Sequence, residues 1–559
     1  MKKAVIGVTA AAGLWMLAQN VTAPRPLSEI TPAGPVMYLE ARNLASVIAD
    51  WDQSQEKTAW LGSASFQVFS RSRLFLRLKE VFDQYAAATG VPPDMTMFRS
   101  VAGSESALAI YDIGTLEFLY LTRVPAARAM ESLLWKAREK FSTRNAGGAA
   151  YYVLNDAASR RSASFAISGD LLLIATRETA LAESLQLLAG AGGLTAVRGE
   201  SWFQAAAAAS TQPGDLRMLL HMERLVASAS FRSYWVQRNV ADLRAFRSGV
   251  VDLRRADRAV QEDRVLLRSE PSAAPDTGGV AGLMPLAANA GLYRAWAQPT
   301  PADAAGLIAE KILLAAGAAA TPSQSAPSVS IEANEPGVET DLESRLDEAP
   351  LHAGVAYQPK ALMDLLEGAR LSAVLHRQTS RMMQDNVFIS SDSLLAVAGQ
   401  NNWDAAAVRA ALESAIRGLD TVSSLGFGWR ERRVGADTIW ETDGLRGLAV
   451  AVRGRTLLLA TRGSYLESAL ALPAGANPAG AAYLAGYRPA AELPNYTRIM
   501  RMIEFPQRNP DPNAAQEPAF FSGNLGSLAS ALGRVDSVSV IAADDGKSLK
   551  QTVAYQLSR

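Results

Sequence analysis

The sequence predicts an α+β protein built from two homologous halves, each a mainly antiparallel sheet with helices packed on it, joined by a partly disordered linker. Three observations predict it. A chain of 559 residues that is 49 % hydrophobic and 20 % charged has material for several domains and lacks the composition of a disordered chain. Segments recur at a near-constant offset: Gly169 with Leu172-Leu173-Ile174-Ala175-Thr176-Arg177 returns as Gly454 with Leu457-Leu458-Leu459-Ala460-Thr461-Arg462. Short alternating apolar runs are joined by turns of hairpin length, which implies antiparallel pairing.

In chain order, Met1-Lys2-Lys3 precedes an apolar run from Ala4 to Ala18 that includes Val5, Ile6, Val8, Leu14, Trp15 and Leu17. A positive start followed by an apolar stretch is the pattern of an export signal. As a helix this run spans only about 22 Å, short of a ~30 Å hydrocarbon core, which favours cleavage. Val21-Thr22-Ala23 supplies small residues for a cleavage site, yet Pro24 follows at once and suits a scissile bond poorly. Residues 1–23 therefore read as a signal peptide or a signal anchor. In the second case Lys2 and Lys3 hold the N-terminus in the cytoplasm. The expected location is exported: periplasmic, tethered to the cytoplasmic membrane, or released if the signal is cleaved. No later segment reaches eighteen uncharged apolar residues, so no second spanning helix is predicted.

The first copy is assigned to 35–270. Leu108–Tyr111 and Leu116–Leu121 flank Asp112-Ile113-Gly114 as a hairpin, and Ala126–Phe141 has helical spacing. Tyr151–Leu154, Ser164–Ile167 and Leu171–Ala175 follow as strands, and Thr179–Leu188 as a helix ending at Gly190. The order β-β-α-β-β-β-α is expected to lay its helices on one face. Earlier in this copy, Arg71–Tyr85 places Leu74, Leu78, Val81, Phe82 and Tyr85 along one side, the pattern of a core-facing amphipathic helix. Residues 281–318 predict a strand at Leu292–Ala297 and an Ala-rich helix from Ala302 to Ala316, started by Pro299-Thr300-Pro301. Residues 319–349, rich in Ala, Pro, Ser and acid, read as a flexible linker.

The second copy is assigned to 350–559. Val355-Ala356-Tyr357 matches Val36-Met37-Tyr38, and Ser391–Val397 matches Ser104–Ile110. Asp536–Ile541 matches Ser248–Leu253, and Pro506–Asn513 reads as a surface loop.

Chemistry is harder to find. Lys plus Arg and Asp plus Glu both number 55, and the zero net charge argues against nucleic acid as a partner. With no Cys, disulfides, thiolate metal sites and Cys nucleophiles are excluded. His221, His352 and His376 do not cluster, and no HExxH or P-loop pattern occurs. Gly103-Ser104-Glu105-Ser106 lacks the second glycine of a nucleophile elbow, and Asp544-Asp545-Gly546 reads as a hairpin turn. Arg177 and Arg462 stand where a strand passes into a helix, suited either to an anion or to packing their stems beside a cap. Phe231, Tyr234, Trp235 and Arg238 form a helical stripe suited to a partner or ligand surface, or to the core. No catalytic residue, cofactor or metal is predicted.

The layout and the repeated Leu-Leu-x-Ala-Thr-Arg resemble exported bacterial proteins made of duplicated αβ modules behind one N-terminal hydrophobic segment. That resemblance implies no activity. The resulting expectation is a non-enzymatic cell-envelope protein acting by protein or ligand contacts, touching the membrane through its N-terminal segment if uncleaved. The alternatives are a carrier of an apolar ligand or lipid in a cleft between the halves, and a hydrolase.

Overall fold

The computed structural model describes residues 24–313, 358–495 and 534–558, apart from 63–65, 67–69, 157–160, 235–242, 276–282, 417–427, 443–446, 472–480 and scattered single or paired positions. The N-terminal segment with Val5, Ile6, Val8, Leu14, Trp15 and Leu17, the stretch 319–349, the loop Pro506–Asn513, and His352, Trp235 and Arg238 lie outside the described residues. The protein is mixed helix and strand with extensive antiparallel sheet. It divides into two compact units. One takes in the chain up to Asp50, Leu78–Ala208 and Met218–Ser230; the other takes in Trp51–Arg77, Ala209–Arg217 and the chain from Phe231.

In the first unit the strands are β1 (Met37–Ala41), β2 (Ser106–Asp112), β3 (Glu117–Arg123), β4 (Ser142–Ala146), β5 (Ala149–Asp156), β6 (Arg161–Ser168) and β7 (Leu171–Ala175). Their ladder runs β1-β2-β3-β7-β6-β5-β4, antiparallel at every step. Tight turns set these registers. Gly147 and Gly148 between β4 and β5, and Gly169 between β6 and β7, have positive φ, which a side chain would strain. β7 is buried at every position, because β3 and β6 flank it and both of its faces are covered. Phe141, Phe165, Leu134, Leu172 and Ile174 form a core under the helices Ala126–Glu131 and Leu133–Lys136. The helix Glu178–Leu188 buries Leu181, Ser184 and Leu185. It stops at Gly190, whose N–H bonds Leu187 while that of Ala191 bonds Gln186, the paired bonds of a Schellman cap.

β8 (Leu216–Leu220) pairs with β1. In the second unit follow β9 (Phe246–Ala256), β10 (Ala259–Arg268), β11 (Leu292–Ala297), β12 (Ala369–Met383), β13 (Asn386–Gly399), β14 (Trp429–Val434), β15 (Asp437–Thr442), β16 (Ala449–Arg453), β17 (Thr456–Ala460), β18 (Tyr483–Tyr487), β19 (Val535–Asp544) and β20 (Ser548–Leu557). The ladder order is β9-β10-β20-β19-β18-β11-β12-β13-β17-β16-β15-β14, antiparallel throughout. β9 and β10, within the stretch 35–270, belong to this second unit because β10 is paired along its length with β20.

Helices cover both faces of this sheet, which corrects the expectation of one covered face. Leu394, Ala396, Leu458 and Ala460 point to one face, where Tyr465, Leu466, Ala469 and Leu470 of the helix Gly463–Leu470 meet them. Leu395, Val397, Leu457 and Leu459 point to the other, against the helices Pro301–Ile308, Lys360–Leu365 and Ala405–Ile416. A strand buried on both faces is apolar at successive positions, and Leu457-Leu458-Leu459-Ala460 has that character. Thr300 caps the Pro301 helix, its hydroxyl accepting from the Asp303 N–H at 3.1 Å.

One close approach in this sheet needs glycine. Gly486 lies opposite Tyr293, and a Cβ there would fall inside the tyrosine ring. Gly486→Ala is expected to cost about 1–3 kcal/mol by overpacking. A urea midpoint unchanged from wild type would show that the ring moves aside freely.

Candidate functional site

The polar side chains best placed for chemistry gather in the second unit, where β12, β13 and β17 meet. His376 and Ser393 are directly opposed across β12 and β13, and Nδ1 of the ring lies 2.9 Å from the serine Oγ. The Ser393 N–H donates to the Thr461 Oγ1 at 2.9 Å, and the Thr461 N–H returns a bond to the Ser393 carbonyl at 3.0 Å. One residue along, Arg377 donates to the buried Asp392 carboxylate at 3.1 Å, and Arg462 Nε reaches its other oxygen at 2.8 Å. The Arg377 guanidinium also lies over the Tyr465 ring at 4.3 Å. Burial pushes the Tyr465 hydroxyl up to about 12, so it stays protonated.

Burial lowers the His376 pKa, and the charges of Lys311 and Arg294 lower it further. A neutral imidazole bonded to a hydroxyl is the first half of a nucleophile and base pair. The second half is missing among the described residues: the ring's other nitrogen has no carboxylate bonded to it, and Ser393 sits on an extended strand flanked on both sides. The pair therefore has the form of a polar contact within a sheet. Its pH dependence has a definite sign. With the folded pKa depressed, the neutral ring's contribution to stability is complete above the ordinary value of 6.5 and is lost as pH falls through the folded value. The stability gap between wild type and His376→Asn should shrink between pH 7 and pH 5 in urea titrations; a gap that widens on acidification would contradict this.

The two matched arginines are both tied to acids. Arg462 pairs with Asp392, and Arg177 lies 3.6 Å from Glu117, donates to the Thr179 hydroxyl at 2.9 Å and covers the Tyr111 ring. Their charge faces carboxylates on the neighbouring strands, and neither helix start has the side-chain cap beside which the stems are expected to pack. A third polar cluster is internal. Asp252, with no exposed surface, accepts from Arg217 Nε at 2.7 Å, from the Ser210 hydroxyl at 2.6 Å and from the Gly214 N–H at 2.9 Å. Burial alone would push this carboxyl up, and these three donors together hold it below its ordinary value.

The remaining sequence candidates fall elsewhere. His221 caps the helix Met222–Ala227 and lies against the Trp202 ring at 5.2 Å. Phe231 is 7 % exposed; the Tyr234 side chain, like Trp235 and Arg238, is outside the described residues. Among the described residues no group of three or more His, Asp or Glu is arranged to hold a metal ion. No helix among them is long and apolar enough to cross a membrane.

The feature missed by the sequence reading is an apolar surface. Of the eleven exposed large hydrophobic side chains described, Trp51, Trp60, Leu61 and Leu76 belong to the second unit, and Phe82, Phe98, Met130 and Leu133 lie on helices of the first. Phe82, expected in the core, is among them, because the helix Arg73–Thr89 sends Tyr85 into the first unit's core and leaves Phe82 outside. Phe82 stands 6.5 Å from Phe98, with Met130 and Leu133 on the helices that follow. These four side chains are 37–45 % exposed.

No protein-family model and no curated protein matches the chain. Among solved structures it is similar to two crystal forms of TP0453. Form IV shares 9 % identity over 46 % of this chain and 83 % of that one with a TM-score of 0.25; form III shares 10 % over 48 % and 90 % with 0.24. A likeness at that score carries no argument about fold or function.

Proposed function

We propose that this chain is a non-catalytic, exported cell-envelope protein that acts through contacts with protein or lipid. The observation that carries the reading is the set of exposed large apolar side chains on the helices of the first unit, Phe82, Phe98, Met130 and Leu133, with the Phe82 and Phe98 rings in contact; exposed apolar groups that adjoin are associated with interaction surfaces. The N-terminal apolar segment supports export and, if retained, a tether to the cytoplasmic membrane. The test is expression of the full chain with its native N-terminus, separation of soluble from membrane fractions, and sequencing of the mature N-terminus. Retention of Met1 or Lys2 in a salt-resistant membrane fraction supports the tether, a start near Pro24 in the soluble fraction supports release, and a full-length soluble cytosolic product defeats export.

A second reading, hydrolysis, has one observation in its favour, the 2.9 Å contact between Ser393 and His376. A fluorophosphonate probe decides it: covalent labelling of wild type that disappears in Ser393→Ala supports an enzyme.

The chain is also proposed to be an internal duplication with a different boundary from 350. Two features support this. The ladder order β8-β1-β2-β3-β7-β6-β5-β4 is repeated as β18-β11-β12-β13-β17-β16-β15-β14, and each set is followed by a hairpin, β9–β10 and β19–β20. Matching details accompany it: Gly169 and Gly454 both turn at positive φ, and Phe118 and Ser393 both donate backbone N–H groups to the hydroxyls of Thr176 and Thr461. On this alignment the second copy starts at β11, and the stretch 319–349 falls inside it. Ser391–Val397, on β13, then corresponds to β3 rather than to Ser104–Ile110, which runs into β2.

A further inference from the structure

We propose that the first unit rests its helical apolar face, formed by Phe82, Phe98, Met130 and Leu133, on the surface of a lipid bilayer. Scattered apolar side chains on a surface need no explanation, whereas two exposed aromatic rings in contact, with two long aliphatic side chains exposed on the helices that follow, do. The Phe82 and Phe98 rings are neighbours, and Arg128 Nη2 donates to the Arg99 carbonyl at 2.9 Å, tying the helix of Met130 to the helix of Phe98.

Lipid is the occupant for two reasons. The first is where the chain enters. Arg123 donates to the Arg25 carbonyl, and the Ser104 N–H donates to the Arg123 carbonyl at 3.1 Å. Arg123 stands three residues before the helix Ala126–Glu131, and Ser104 three residues after the helix Met95–Val101. The chain arriving from residue 24 thus joins the unit at the foot of both helices. From Ala18, the last residue of the apolar run, to Arg25 a fully extended chain reaches at most roughly 25 Å. An inserted N-terminal segment would hold these helix feet within that distance of the bilayer. The second is the chemistry of the face: exposed aromatic rings and long aliphatic side chains, on helices that also expose charges of both signs (Arg128 and Lys136, Asp83 and Glu131), suit the headgroup region of a membrane.

The inference rests on the tethered reading of the N-terminal segment, and the experiment separates the two. Because the chain has no cysteine, Phe98→Cys, Met130→Cys and Thr143→Cys each create a single site for an environment-sensitive fluorophore. Thr143 is exposed on β4, two ladder steps or about 10 Å from β6, the nearer of the two strands under the helix Ala126–Glu131, and serves as the control off the face. Full-length protein is reconstituted into phosphatidylcholine–phosphatidylglycerol vesicles with or without brominated acyl chains. Fluorophores at 98 and 130 are expected to be quenched at least about twofold more than that at 143, as for side chains seated at the acyl boundary. Protein that floats with the vesicles but shows equal or no quenching at the three positions overturns the docking and leaves the tether standing. Protein that does not float overturns the tether and the docking with it. Shielding at 98 that follows protein concentration in unbrominated vesicles, without bromide quenching, overturns the lipid assignment in favour of a second copy of the chain. Thermal melts matching wild type establish that the labelled variants are folded.

Discussion

Asp252→Asn is expected to lower the free energy of unfolding by about 3–5 kcal/mol, among the largest effects of any single substitution in this chain. Asn keeps the shape and removes the charge, which leaves the Arg217 guanidinium buried without a counterion. One amide oxygen also cannot accept all the bonds that two carboxylate oxygens take from Arg217, Ser210 and Gly214. The pH dependence follows from the lowered pKa. The contribution of Asp252 is complete above its ordinary value of 3.8 and is lost as pH falls through the lower folded value. Wild type and variant should therefore differ fully at neutral pH and converge in strong acid. Urea unfolding at pH 7 and at pH 3 measures both quantities, and a variant as stable as wild type at pH 7 would show that water reaches Arg217. The Lys360–Asp364 pair, one helical turn apart on the surface, is the contrasting case: Asp364→Asn should produce no measurable loss.

Phe165→Ala, in the first unit, should cost about 3–5 kcal/mol. The ring is 1 % exposed, stacks on Tyr152 at a centroid distance of 4.9 Å, and meets Phe141 edge to face at 5.1 Å. Truncation opens a cavity among Leu134, Leu172 and Ile174, which sit on helix and strand backbones that cannot collapse fully into it. Phe165→Leu should lose less, because most of the volume remains. Urea midpoints for the pair check the ordering, and near-ultraviolet circular dichroism should report loss of the aromatic cluster only in the alanine variant. Equal losses in the two variants would mean that ring stacking, rather than filled volume, dominates the site.

Much of the local structure is legible in the sequence. The hairpin at Asp112-Ile113-Gly114, the turn at Gly169, the strand Leu292–Ala297 and the start of the helix at Pro301 depend on residues within a few positions of one another. Alternation of period two and the need for positive φ are local properties, so composition and spacing report them. The candidate site was not legible in this way. His376 and Ser393 are seventeen residues apart, and nothing local marks them as opposed until the register of β12 against β13 is known. The exposure of Phe82 was misread for a related reason. Its helix carries apolar side chains in more than one direction, and the sequence pattern alone does not say which of them a neighbouring element covers.

The sequence by itself determined the class, mixed helix with antiparallel strands, together with the apolar runs that fill the cores and the turns that join neighbouring strands. Tertiary structure alone decided that β10 pairs with β20 across nearly 290 residues, that Asp252 meets Arg217, and that both faces of the second unit's sheet are covered. The physical reason is that a strand carries the same hydrogen-bonding edge whichever partner it takes. The choice among partners follows from the total burial and polar satisfaction of the assembled sheet, to which every distant segment contributes.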